Sequence, residues 1–168
     1  MMEIKIRKMV ERDIREFPQA FSLQGWNKPV SQFQTYFEEQ ENGKRQLFIA
    51  TVDGKVAGYA TLLQHDVSGP FKDKDIPVII DLNILEKYQK NGVGTALMDY
   101  IENSVKEYSS TICLSVGLHS GYGSAQRMYV KRGYIPDGSG VWFNGEQWKQ
   151  YEPCVNDDEL VLYLSKSL

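Results

Sequence analysis

The stretch with the clearest capacity for chemistry is Gln89-Lys90-Asn91-Gly92-Val93-Gly94-Thr95. It follows a Val/Ile-rich strand pattern and opens the most regular helix pattern in the chain. A helix start leaves backbone N–H groups without partners and carries roughly half a positive charge. Two glycines let the backbone curl so that several N–H groups converge, a nest that binds phosphate without a basic side chain. Lys90 adds a mobile positive charge beside it. Three other readings compete. A dinucleotide fingerprint needs a third glycine or alanine where Leu97 stands, and a tight strand turn before the loop. A P-loop needs a lysine after Gly94, where Thr95 stands. A plain strand-to-helix turn uses the glycines for geometry alone. Reactive side chains elsewhere are sparse. His65 and His119 are the only groups whose ordinary pKa lies near neutrality. They have no ligand-spaced partners, so no metal is expected. Cys113 lies in an apolar strand pattern with no histidine beside it, and reads as a small core residue rather than a nucleophile.

The elements that must position the loop follow from period. Glu3 to Met9 alternates Ile4 and Ile6 with charge and reads as a strand. Arg12 to Phe21 reads as a helix limited or kinked by Pro18. A second helix starts after Pro29 with Ser31 as N-cap, shares Phe33, Tyr36 and Phe37 on one face, and stops at Asn42-Gly43. Gln46 to Val52 and Lys55 to Leu63 form a hairpin about Asp53-Gly54. His65 to Asp75 is a loop, and Pro77 to Leu85 a further strand. From Val93 an amphipathic stripe runs through Ala96, Leu97, Tyr100, Ile101, Ser104, Val105 and Tyr108. Thr111 to Val116 is a strand, and Ser124 to Lys131 a short helix closed by Gly133. Tyr134-Ile135 and Val141 to Phe143 suggest a broken strand. Asn144-Gly145 fits a hairpin turn that puts Trp142 and Trp148 on paired strands. Leu160 to Leu164 is the last strand. The order β-α-α-β-β-β-α-β-α-β-β describes an α/β (α+β) fold: a mixed, mostly antiparallel central sheet flanked by helices. No repeat or linker divides residues 1–168, so one domain is expected.

Gln89-x-x-Gly92-x-Gly94 resembles the Q/R-x-x-G-x-G/A signature of the GNAT superfamily of N-acetyltransferases. Asp81-Leu82-Asn83-Ile84-Leu85-Glu86-Lys87-Tyr88 looks like that family's fourth strand and the loop after it. Ala125-Gln-Arg-Met-Tyr129-Val-Lys-Arg-Gly133-Tyr134 resembles its A-x-x-x-Y-x-x-x-G-F/Y helix end. The resemblance implies an acetyl-coenzyme A dependent N-acetyltransferase with splayed fourth and fifth strands. It implies that main-chain N–H groups of Gln89, Lys90, Asn91, Gly92, Val93, Gly94 and Thr95 hold the pyrophosphate. The pantetheine arm would pair with the strand backbone at Leu82, Asn83 and Ile84, as an added strand would. Tyr129 would stand at the thioester sulfur. A phenol of pKa about 10 can hydrogen-bond or protonate a leaving thiolate whose thiol has a pKa of about 8.5. Many members carry an asparagine three residues before the helix alanine; Tyr122 stands there, within Ser120-Gly121-Tyr122-Gly123, and is expected to cover the cofactor or line the acceptor site.

An amine acceptor arrives protonated, so a base is needed. The resemblance points to a carboxylate on or near the fourth strand: Asp81, which alternates with Asn83, or else Asp66, with His119 in reserve as base or acceptor contact. The acceptor rim expected from the resemblance includes Trp26, Phe71, Trp142, Trp148 and Tyr151, and an aromatic and acidic rim suits a small cation. The acidic run Asp157-Asp158-Glu159 is better read as a solvated turn. Composition narrows the field. With 19 Lys plus Arg against 22 Asp plus Glu, the net charge is −3, which argues against broad nucleic-acid binding. No apolar run long enough for a membrane span is present. The charged start Met1 to Lys8 argues against a signal peptide, and two cysteines make no disulfide scaffold. A reducing cytoplasm is therefore expected. The expected partners are acetyl-coenzyme A, as acyl donor, and a small or peptide amine, in a monomer or homodimer. A coenzyme A-binding regulator without turnover, or an enzyme acting on a protein lysine or N-terminus, remains open.

Overall fold

The computed structural model describes residues 1–168, which divide into two compact units: residues 1–63 with 80–104, and residues 64–79 with 105–168. The first unit holds β1 (Ile4–Lys8), α1 (Asp13–Leu23), α2 (Val30–Glu41), β2 (Gln46–Val52), β3 (Lys55–Leu63), most of β4 (Val78–Ile84) and α3 (Val93–Val105), in which only the final residue belongs to the second unit. Its strands are hydrogen-bonded in the order β1-β2-β3-β4. The β2–β3 hairpin pairs Val52 with Lys55 across Asp53-Gly54, both at positive φ (48° and 80°), the turn that a right-twisted two-residue hairpin requires. The core is aromatic: Phe17 stacks on Phe33 at 5.4 Å, and both meet Tyr59 edge-on.

The second unit holds the start of β4, β5 (Thr111–Gly117), α4 (Gly123–Lys131), β6 (Ile135–Pro136), β7 (Trp142–Phe143), β8 (Glu146–Gln147) and β9 (Leu160–Ser167). β5 pairs antiparallel with β9 along its whole length, from Thr111–Ser167 to Gly117–Val161. β4 pairs parallel with β5 at Val78–Cys113 and Ile79–Leu114. The fold is the mixed, mostly antiparallel one expected, with four α-helices.

Local details differ where tertiary contacts overrule propensity. Ser31 is not the cap of α2; Pro29 is, in extended conformation and with no side-chain hydrogen bond. Pro18 does not end α1, which runs on to Leu23. The helical stripe of α3 stops at Val105, and Tyr100 and Tyr108 are about half exposed while Met98 is fully buried. Asp13, in the first turn of α1, is completely buried. It accepts two hydrogen bonds from Arg7 (2.7 and 2.9 Å) and one from the Val10 N–H.

Candidate active site

In the first unit β4 leads through a short 3-10 turn (Glu86–Tyr88) into α3. The linking loop is exposed, and two of its residues take left-handed backbone, Lys90 at φ 62° and Gly92 at φ 84°. The first helical hydrogen bond of α3 runs from the Ala96 N–H to Gly92 O (2.9 Å). The N–H groups of Val93, Gly94 and Thr95 therefore precede any intrahelical acceptor, as the first turn of a helix requires. A Cβ built on Gly92 meets nothing within 4 Å, so the space over the curl is open. Converging donors, a helix dipole and an open approach fit a phosphate group.

One expected donor is removed. The Gln89 N–H already donates to Glu86 O (3.1 Å). Gln89 acts instead through its side chain, which donates to Ile84 O (3.0 Å) and ties the loop to the end of β4. The same bond occupies a carbonyl of the strand segment expected to receive the pantetheine arm. Asn91 in turn donates to Gln89 O (2.9 Å), so both amides shape the curl.

On β4, Asp81 has φ 61°, left-handed within a strand; aspartate is among the few residues that tolerate this. Its Oδ2 accepts from Tyr59 (2.7 Å), Tyr36 (2.8 Å) and Gln32 (3.0 Å). Asn83 donates to Oδ1, and Lys28 Nζ lies 3.9 Å from that oxygen. Three donors leave Oδ2 no free lone pair, whereas Oδ1 keeps one direction toward the lysine ammonium. Burial, then the Asp81 charge, pushes both phenols well above their ordinary range, so they remain donors. Asn83, two residues on, shares the face of Asp81. Leu82 and Ile84 are half-buried, and the Ile84 side chain and the backbone of Asn83 and Ile84 crowd Gly58, where a Cβ would come within 2.7 Å of Asn83 O. Trp26 belongs to this unit and stacks on Phe21 at 5.8 Å.

The second unit carries the remaining candidates. Tyr129, on α4, is buried, its ring 5.8 Å from that of Tyr134. Burial, and secondarily Tyr122, pushes its pKa up to about 12. Such a phenol stays protonated at any physiological pH. It donates a hydrogen bond readily but gives up its proton reluctantly. His119 Nδ1 accepts from the Gly121 N–H (3.1 Å) and Nε2 meets Asp158 at 2.7 Å. Both ring nitrogens are thus engaged, and the bond from His119 lowers the Asp158 pKa. Tyr122 packs its ring against Gly117, where a Cβ would come within 2.4 Å of it, and lies 4.7 Å from His119. Trp142 donates from Nε1 to Ser139 Oγ (2.7 Å) and sits edge-on to Tyr163. Asp66 is buried, which raises its pKa. Cys113 is fully buried and its thiol is pushed up to about 12 by that burial, so thiolate is scarce at neutral pH. No group of three or more His, Cys, Asp or Glu side chains could hold a metal ion, and no helix is long and apolar enough to cross a membrane.

Lys28, Gln32, Tyr36 and Tyr59 were not singled out from the sequence. Tyr59 carried a signal: a phenol in the apolar run Lys55 to Leu63 must find a buried partner for its hydroxyl.

A strand, a glycine curl and a helix start whose first amides precede any intrahelical acceptor thus meet at one exposed junction of a mixed sheet. The sequence profile of the acetyltransferase (GNAT) family matches residues 7–134, and the chain belongs to that family. Among solved structures it is similar to Ard1 from Thermoplasma volcanium, with TM-score 0.70 and 18% identity over 98% of this chain and 97% of that one. It is also similar to the ribosomal-protein-S18-alanine N-acetyltransferase from Escherichia coli, with TM-score 0.68 and 16% identity over 98% and 94% of the two chains. An acetyltransferase of the GNAT family from Staphylococcus aureus Mu50 gives TM-score 0.66 and 17% identity over 98% and 99%. At these identities the likeness concerns the fold. No curated protein matches the chain.

Proposed function

We propose that the chain transfers the acetyl group of acetyl-coenzyme A to a primary amine by direct attack in a ternary complex. The observation that carries this reading is the Lys90–Thr95 curl. Left-handed backbone at Lys90 and Gly92 opens into the free amides of α3, with open space over Gly92. Those amides hold the pyrophosphate of the donor, Lys90 adds charge, and the backbone of Leu82 and Asn83 pairs with the amide-rich arm.

The acceptor arrives as an ammonium and must lose a proton. Asp81 takes it on Oδ1, the oxygen that its phenol and amide donors leave open. The amine nitrogen then forms its bond to the thioester carbonyl carbon as the carbon–sulfur bond breaks, and its second surplus proton passes to water, which returns one to the thiolate. The departing thiolate receives a hydrogen bond from Tyr129. With its phenol pushed to about 12 against about 8.5 for a thiol, Tyr129 stabilises the sulfur charge and the proton reaches it from water. Trp26 in the first unit, and Tyr122, His119 and Trp142 in the second, are the residues that the family resemblance assigns to acceptor recognition.

The test is an acetyl-transfer assay on a panel of alkyl diamines, polyamines, amino acids and peptides, read as free thiol release. Asp81→Asn lowers kcat on every acceptor that the wild type acetylates, while the Kd for acetyl-coenzyme A stays within about twofold. Tight acetyl-coenzyme A binding with no thiol release on any acceptor would replace the enzyme with a coenzyme A-binding regulator.

A further inference from the structure

The segment joining α1 to α2 turns Lys28 inward. Its ammonium lies 5.3 Å from the Phe21 ring centroid, 5.7 Å from that of Tyr59 and 3.9 Å from Asp81 Oδ1. Trp26 stacks on Phe21 and Phe33 meets Tyr59 edge-on, so both rings are held by aromatic neighbours. Ring faces and a carboxylate are the two attractions that select an ammonium, and each strengthens when water is excluded. Only 18% of the lysine side chain is exposed.

The fit of Lys28 to this box is loose. An ammonium carries three N–H donors, yet at 3.9 Å the contact to Asp81 is an ion pair beyond hydrogen-bond reach. A lysine placed purely as counter-charge would close at least one of those bonds. A shallow hollow of about 650 Å³ lies beside it, lined in part by Ser22, Leu23, Asn27, Lys28 and Val30. The stem of Lys28 can swing into that space without disturbing the core.

We propose that Phe21, Tyr59 and Asp81 form a subsite for a primary alkylammonium, that Lys28 occupies it as a stand-in, and that the acceptor's ammonium displaces Lys28 into the neighbouring hollow. The assignment of the ligand as the acetyl acceptor rests on the function proposed above; the subsite itself does not. A free ammonium, unconstrained by the lysine stem, reaches hydrogen-bond distance of Oδ1, where its proton can leave. The subsite selects an unbranched primary amine, because the rings leave the carboxylate approachable along one direction only.

The experiment is thermal unfolding of Lys28→Ala in n-butylammonium chloride, with sodium chloride at equal ionic strength and n-butanol as controls. Butylammonium copies the stem and charge that the substitution removes. The expected result is a saturable rise in Tm of roughly 3–6 °C at ten times its Kd, for a chain of this size. Wild type rises as well, but only at higher butylammonium concentration, because the amine must first displace Lys28; a wild type that moves no more than in sodium chloride overturns the displacement. Lys28→Ala with Asp81→Asn shows no rise. Should Lys28→Ala fail to fold in sodium chloride, folding restored by butylammonium supports the subsite. No folding in either salt overturns it, as do equal Tm values in both. No acetyl-coenzyme A is present, so the two proposals fail separately. Thiol release without a butylammonium effect removes the subsite alone, and the converse removes the reaction alone.

Discussion

Gly92 allows backbone strain and charge to be separated at the curl proposed to hold the pyrophosphate. Its φ of 84° is one that side chains with a Cβ rarely adopt, but a Cβ there has nothing within 4 Å to strike. Gly92→Ala and Gly92→Glu therefore share the same backbone cost, about 1–2 kcal/mol, and lower Tm together by a few degrees. They differ in a single carboxylate. Placed about 5 Å from a diphosphate bearing two charges, it raises the bound state by about 2 kcal/mol at the dielectric of water, and by more where water is excluded. The curl is exposed, so the lower figure applies. Screening at a Debye length of about 10 Å cuts this to about 1 kcal/mol, so calorimetric titration with acetyl-coenzyme A should give a Kd about fivefold weaker for Gly92→Glu than for Gly92→Ala in 0.1 M salt. The gap should narrow at 1 M salt, where the Debye length falls from about 10 to about 3 Å. Equal affinities for two folded variants would refute a phosphate at this curl, whatever the absolute values.

Tyr129→Phe should lower kcat by roughly 10–100-fold while the Kd for acetyl-coenzyme A stays within about twofold, because one hydrogen bond to a charged group is worth about 1.5–3 kcal/mol; unchanged turnover would remove the phenol from the reaction. Asp66 is raised above its unfolded pKa by burial, so the folded chain binds the extra proton and stability falls as pH rises from the unfolded value through the folded one. Asp66→Asn should accordingly raise Tm by about 2 °C at pH 7 and leave it unchanged near pH 3, below both values; a lower Tm at pH 7 would show that the charge is needed. Of the two thiols, exposed Cys154 should react with a maleimide in the native protein and buried Cys113 only after unfolding, as mass spectrometry would count.

Elements whose identity is set within a few residues were legible in the sequence. The Asp53-Gly54 and Asn144-Gly145 turns needed only the positive φ values that those residues supply, and both formed. The apolar runs on either side of Asp53-Gly54 mark β2 and β3, whereas the register shift between Ala50 and Thr51 has no mark in the sequence. Residues whose role depends on a distant partner were not legible. Pro18 by itself predicts a limit or kink, yet the packing of Phe17 and Phe21 in the core carries α1 past it. Its place in the signature makes the Gln89 N–H one of the expected donors. The preceding 3-10 turn, invisible in the pattern, had already claimed its N–H. β9 runs three residues beyond the expected Leu164, because Ser165 to Ser167 find partners at Cys113 to Thr111 on β5.

Asp81 shows why the site is harder to read than the fold. Its spacing from Asn83 put both on one strand face, which is all that a period of two can say. The left-handed backbone at Asp81 has no sequence signature, since aspartate adopts it only where its surroundings demand it. Here the demand comes from α2, β3 and the segment before α2: Gln32, Tyr36, Tyr59 and Lys28 lie 49, 45, 22 and 53 positions away in the chain. Strain of about 1–3 kcal/mol at one residue is met by three hydrogen bonds to a charged oxygen, each worth about 1.5–3 kcal/mol. The surplus fixes the carboxylate in one orientation and leaves Oδ1 as its one approachable oxygen. A rigid anion with a single open face is a different reagent from a solvated strand carboxylate, and this difference is what makes Asp81 suited to receive one proton from one direction.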